Sequence, residues 1–292
     1  MEPEPAAVAI HHVITADTWT LATASAVAVI TLLLVITSLL TIGVIISNDS
    51  LKDVIGYYLV SLAVSDLLAG TLVTPFALYA ALDKNWRYWG EESWLCKLQS
   101  YLEIVIICSI LFLFVWIGAD RFYALQKPAR YEIEHTVTRC KCWILFSWLA
   151  AVLLNSPILF ADMKSVYYEE AYLCMLSARS TTEYTCSIAV LVVGPSLIII
   201  GLCYWVMFKS AWNPAELEDA QRSLLDTDPN FMLTFAVILS FAISWLPWVC
   251  LRIFESAWAP VHIKSLHFCL MWVAIGGAAW KLIIYIAMNA EF

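Results

Sequence analysis

Asp66, Glu103 and Lys281 each stand inside an apolar run: SLAVSDLLAG, SYLEIVIIC and AAWKLIIYIA. A charge in a bilayer core costs at least about 2.5–3.5 kcal/mol, so ionisable residues there are paired, hydrated or functional. Asp120-Arg121-Phe122 closes the run that contains Glu103. That acid–arginine pair is either an ordinary solvated boundary or part of a working site. Glu103 precedes Arg121 by 18 residues, five helical turns or about 27 Å. Glu103, Ile107, Phe114, Ile117 and Arg121 therefore share one helix face, with a charge at each end. Hydrolytic or metal chemistry finds no support. The five histidines (His11, His12, His135, His262, His267) sit in loops or at the ends of apolar runs. No GxSxG or CxxC occurs, and Cys140-Lys-Cys142 has neither metal-site spacing nor partners. No enzyme, cofactor or metal is expected.

The elements that must position these residues are membrane spans. The chain is 62% hydrophobic and 14% charged, whereas soluble domains are about half apolar and a quarter charged. Seven segments reach the roughly 20 residues a crossing needs: 22–47, 55–82, 95–125, 139–161, 184–208, 230–256 and 264–287. A backbone in lipid must satisfy its own hydrogen bonds, so these are helices. The expected fold class is an all-α, seven-transmembrane bundle in the lipid bilayer. Residues 1–292 form one domain, with 1–21 an N-terminal segment. No repeats or broken helices point to a transporter. The net charge of −8 and the lack of a basic stripe exclude nucleic acid. The acidic N-terminus has no signal-peptide n-region. Cys108, Cys186, Cys203, Cys250 and Cys269 lie in apolar runs and are expected to pack. Lys and Arg divide eight to seven between the two sides, so loop charge barely sets orientation. A basic segment beyond Phe292 is expected to tip that count.

Further motifs fall in register with the spans. The second carries LAVSDLL, the fourth Trp148 and Pro157, the fifth Pro195, and the sixth SWLP with Trp245 and Pro247. In this order, with DRF ending the third, the chain resembles a rhodopsin-like (class A) G-protein-coupled receptor over practically its whole length. RCKCW, AYLCML, LVVGPS, SWLPW and Trp280-Lys281 look most like the insect dopamine/ecdysteroid receptor group.

The resemblance implies an extracellular N-terminus, a multi-pass place in the cell membrane and a Cys96–Cys174 disulfide. It puts the Asn48 sequon in the cytosol. It implies a small-molecule ligand, a biogenic amine such as dopamine or an ecdysteroid, and a heterotrimeric G protein as partner, received at Asp120, Arg121 and Tyr285. Glu103 aligns with the aspartate that serves amine receptors as counter-ion. An internal pair with Arg252 and a hydrated rim carboxylate remain alternatives. Ser187 aligns with ligand-facing hydroxyls, though such serines usually bond their own backbone. Ile107, Trp245, Trp248 and Met271 complete the expected apolar and aromatic contacts.

Span seven departs from the family pattern. Lys281-Leu282-Ile283-Ile284-Tyr285 replaces NPxxY and keeps only the tyrosine. The family's sodium-binding polar positions have become Ile110, Gly277 and Ala278, leaving Asp66 facing a lysine. Lys281 is expected to pair with Asp66 in the ion's place; the alternative is snorkelling to the interface. Ile275, not lysine, aligns with the opsin attachment site. The usual span-five tyrosine aligns with Cys203, beside Tyr204. The acidic third cytoplasmic loop (Glu216, Glu218, Asp219, Asp226, Asp228) leaves a second function open: a constitutively active or scaffolding protein without agonist-driven coupling.

Overall fold

The computed structural model describes residues 18–82, 93–161, 163–177, 181–213, 217–258, 261, 263–289 and 292. The N-terminal residues 1–17 with His11 and His12, the loop residues Lys84, Arg87, Arg179 and Glu216, and His262 lie outside that set. Seven helices are long and apolar enough to cross a membrane: Thr18–Ser47, Val54–Leu82, Trp94–Gln126, Val137–Phe160, Thr182–Trp212, Asn230–Glu255 and Lys264–Met288. They are called spans one to seven. Their ends lie within a few residues of the expected bounds, because a run of 20 or more apolar residues has no other way to satisfy its backbone.

Side chains capable of capping start several of them. Asp53 Oδ1 accepts the Gly56 N–H at 2.6 Å, Ser93 Oγ accepts from Cys96, and Thr136 Oγ1 from Arg139, each satisfying an amide that the first turn leaves free. The spans are not uniform. Single wide turns interrupt spans two and five at Ala69–Val73 and Ala189–Val193. Span seven tightens to a 3-10 turn at Gly277–Ala279 before resuming at Trp280. That turn aims Lys281 inward, 4% exposed, and Trp280 outward, 57% exposed. Span three is the axis of the bundle, with Leu113, Phe114, Ile117 and Leu125 buried along it. Outward faces carry residues such as Leu32, Leu153, Ile198 and Trp205, as a bilayer requires.

The longer connections carry structure of their own. The segment 162–183 contains an antiparallel hairpin, β1 (Ser165–Tyr168) and β2 (Leu173–Leu176), with Tyr167 opposite Cys174. Cys174 is disulfide-bonded to Cys96 at the start of span three. The hairpin is folded into the bundle: Ala171 and Leu173 are buried, and Trp272 of span seven donates to the Ala171 carbonyl at 3.1 Å. At the opposite end, Pro128–Glu134 and Asp219–Thr227 are short helices. The cysteines divide. Cys108 and Cys203 are buried, as expected of packing residues, but Cys186, Cys250 and Cys269 are exposed on outward faces.

Candidate functional site

Spans one, two, three, six and seven line a cavity of about 70 Å³. Glu103, Ile107, Trp245 and Met271, four of the expected ligand contacts, line it, and so do Asp66 and Lys281. The two charged sites of the sequence are thus walls of one chamber. Its lining is otherwise nearly apolar, and the few hydroxyls are already engaged. Thr74 donates to the Gly70 carbonyl and Ser244 to the Ser240 carbonyl. Glu103 Oε1 is buried without a hydrogen-bond partner among the described residues.

Lys281 Nζ lies 2.7 Å from Asp66 Oδ2 and 2.9 Å from Oδ1. Both residues are buried, at 4% and 7% exposure. The ammonium does not snorkel, because the turn before it directs the side chain into the bundle. Ile110, Gly277 and Ala278 line the same chamber; none has a side-chain oxygen to offer an ion. The chamber holds two carboxyl groups against one ammonium, which leaves Glu103 without a counter-ion among the described residues.

Three expected contacts are not brought into the chamber. Ser187 faces outward and donates to its own backbone at Glu183, 2.7 Å away; among the described residues, neither span four nor span five lines the cavity. Arg252 is not the partner of Glu103. Its guanidinium bonds Glu255 at 3.1 Å and the Tyr168 hydroxyl at 2.9 Å, and stacks over the Tyr168 ring. Trp248 is buried against His267 and beneath Arg252. The alternative in which Glu103 pairs internally with Arg252 is therefore removed: span six gives its arginine to Glu255 and the hairpin.

At the other end of span three, Arg121 is buried in a network that crosses the bundle. It bonds Asp120 at 2.7 Å, Asp228 at 2.8 Å and the Tyr131 hydroxyl at 2.6 Å. Tyr131 donates in turn to Asp120, and His135 Nδ1 lies 2.8 Å from the same carboxylate. Burial pushes the Tyr131 hydroxyl well above the ordinary phenol range, so it remains a donor. Asp53 lies beside this network, and its burial raises the carboxyl above the usual carboxylate value. Asp120-Arg121 is thus no solvated boundary. Sequence reasoning missed Asp228, Tyr131 and His135, although two signals were present. Pro128 opens a helix that places Tyr131 and His135 one turn apart, and Asp228 precedes the Pro229 at which span six begins. Tyr285 is 1% exposed, with its hydroxyl unpartnered among the described residues and its ring against Phe292.

Seven spans, a disulfide-anchored hairpin at one end and a buried arginine cluster at the other define a multi-pass membrane receptor. Residues 37–277 match the 7 transmembrane receptor (rhodopsin family) model, and the chain belongs to that family. It is a protein of the cell membrane. It is 24% identical over 277 residues to the tachykinin-like peptides receptor 99D of Drosophila melanogaster, covering 87% of this chain and 52% of that one. It is 25% identical over 286 residues to the neuromedin-K receptor of Homo sapiens, covering 94% of this chain and 59% of that receptor. The chain thus spans between half and three-fifths of the length of these relatives. Both are named for peptides, which sets them against the dopamine/ecdysteroid grouping that the motifs suggested.

Proposed function

We propose that the protein is a G-protein-coupled receptor, N-terminus and hairpin outside, whose ligand is a small, mostly apolar molecule carrying one cationic nitrogen, as a biogenic amine does. The observation that carries this reading is Glu103, a buried carboxyl group with one oxygen unpartnered among the described residues, in a mostly apolar chamber where the one ammonium the described residues supply is already held by Asp66. A cationic ligand there removes the cost of an unpaired buried charge, so its binding is linked to the protein's own electrostatics. The buried Arg121–Asp228 pair ties span three to the start of span six at the proposed cytoplasmic end. Its opening frees the surface that receives the G protein.

A second reading is a peptide ligand whose terminal amine or basic side chain reaches Glu103. The names of the relatives favour it. The experiment is cyclic AMP in cells expressing the full-length receptor and its Glu103→Gln variant, exposed to monoamines, ecdysteroids and tachykinin-like peptides. The expected result is a response to an amine that Glu103→Gln abolishes while surface expression holds. A response to peptides alone establishes the second reading. A steroid that still acts on Glu103→Gln removes the carboxylate from the mechanism. High signal without ligand, unchanged by any of the three, favours the constitutive or scaffolding function.

A further inference from the structure

A second charged cluster lies at the hairpin end, outside the chamber. His267 of span seven is buried, with Nδ1 2.9 Å from the Ile263 carbonyl and Nε2 2.8 Å from Glu255 Oε1 of span six. Neither partner oxygen has a hydrogen to give when Glu255 is ionised. A neutral imidazole has one N–H and one lone pair, so it cannot satisfy both contacts. The geometry fits one proton more than a neutral histidine and a carboxylate hold between them.

The same carboxylate gathers the neighbouring elements. Glu255 Oε2 accepts from Arg252 at 3.1 Å, and Oε1 accepts the Val261 N–H at 3.2 Å. Arg252 donates onward to Tyr168 of β1 at 2.9 Å. One turn before His267, Lys264 reaches Glu169 of the hairpin turn at 3.3 Å. Span one also packs on this part of span seven, but residues 18–47 contain no titratable side chain. Among the described residues, the groups acting on His267 are thus Glu255 and Arg252 of span six, Tyr168 and Glu169 of the hairpin, and Lys264 of its own helix.

We propose that Glu255 and His267 form a proton-binding latch that fastens the outer ends of spans six and seven to each other and, through Arg252, to the hairpin. Imidazole is the side chain whose charge changes between pH 5 and 8. At the acid end of that window the shared proton lets both nitrogens donate. When the proton returns to bulk water, one nitrogen turns a lone pair toward an oxygen and the latch loosens. The sign follows from the partners: both bind the protonated form, so the latch is present at low pH and lost as pH rises. Arg121 and Asp228 are joined in the same structure, at the other end of span six. With the hairpin outside, the protein reads extracellular proton concentration independently of the ligand held by Glu103.

Two exposed native cysteines, Cys250 in span six and Cys269 in span seven, suit the test. With Cys142→Ser and Cys186→Ser as background, the full-length receptor in nanodiscs is spin-labelled at both and the interspin distance is measured across pH 5.5–8.5, a span of about the histidine window. Both faces meet the buffer, so the result depends on neither orientation nor ligand. The expected result is a distribution that lengthens toward alkaline pH. His267→Asn and Glu255→Gln should each remove that dependence, and His262→Asn should leave it intact. A distance that does not change with pH in the unsubstituted protein overturns the latch. So does a pH dependence that survives His267→Asn, which assigns the titration to another group.

Discussion

Replacing Lys281 with methionine removes the ammonium and keeps an unbranched side chain one atom shorter. Asp66 then loses the only donor within reach of either oxygen among the described residues, and faces a chamber whose hydroxyls are committed to backbone carbonyls. Breaking a buried pair from one side costs about 3–5 kcal/mol. At about 2 °C per kcal/mol, the low end for domains of 150–250 residues, that lowers Tm by roughly 6–10 °C. The decisive comparison is the double variant Asp66→Asn/Lys281→Met. It leaves a neutral amide in place of an abandoned charge, an unsatisfied group worth about 1–3 kcal/mol. Adding the second substitution should therefore recover about 2 kcal/mol, or roughly 4 °C. The assay is thermal unfolding in nanodiscs, with surface expression as a check in cells. Exchanging sodium for choline at equal ionic strength should leave the unsubstituted protein's Tm unchanged, because the Lys281 ammonium already engages both oxygens of Asp66. Lys281→Met melting within about 2 °C of the unsubstituted protein, or a double variant less stable than both singles, refutes the ion-pair argument.

Two further outcomes follow from the packing. Asp228→Asn removes one charge-assisted bond from Arg121 while Asp120 remains. At about 1.5–2 kcal/mol for that bond, the closed–open equilibrium should shift roughly 10–30-fold toward the open state, read as raised ligand-free cyclic AMP; an unchanged basal signal at equal expression rejects Asp228 as a closing contact. A Cβ at Gly277 would collide with Ser244 Oγ and Cβ, so Gly277→Ala should cost about 1–3 kcal/mol by overpacking. Ser244→Gly should restore most of it in thermal unfolding, and a Gly277→Ala variant as stable as the original places the strain elsewhere.

Much of the bundle was legible because hydrophobic length is a one-dimensional property. A run such as 22–47 contains its own evidence: it is long, apolar and backbone-satisfied only as a helix. Spacing along one helix was legible as well, which is why Glu103 and Ile107 were expected together and lie together. Lys281 was conspicuous because an apolar run makes any ammonium conspicuous. Contacts between helices were less so. Arg252 looked available to Glu103, yet its partners Tyr168 and Glu255 come from a hairpin and a helix end. Ser187 was assigned to the pocket from alignment, but the rotation of span five turns it outward. Asp228 was counted as one of several loop acids, since nothing in its local sequence says which cation it will face.

The sequence by itself determined that this chain crosses a membrane seven times, that its charges inside those crossings need partners, and which face of span three holds Glu103 and Arg121. Those properties follow from transfer free energies and from the period of a helix, and both are written locally. The pairing of Lys281 with Asp66 was already expected from the sequence and its resemblance; only the tertiary structure decided the other partners: Arg121 with Asp228, His267 with Glu255, and Glu103 with no donor among the described residues. Each such pair joins residues from separate elements, and its energy depends on helix rotation and a few ångströms of approach. The packing of all seven helices sets both at once.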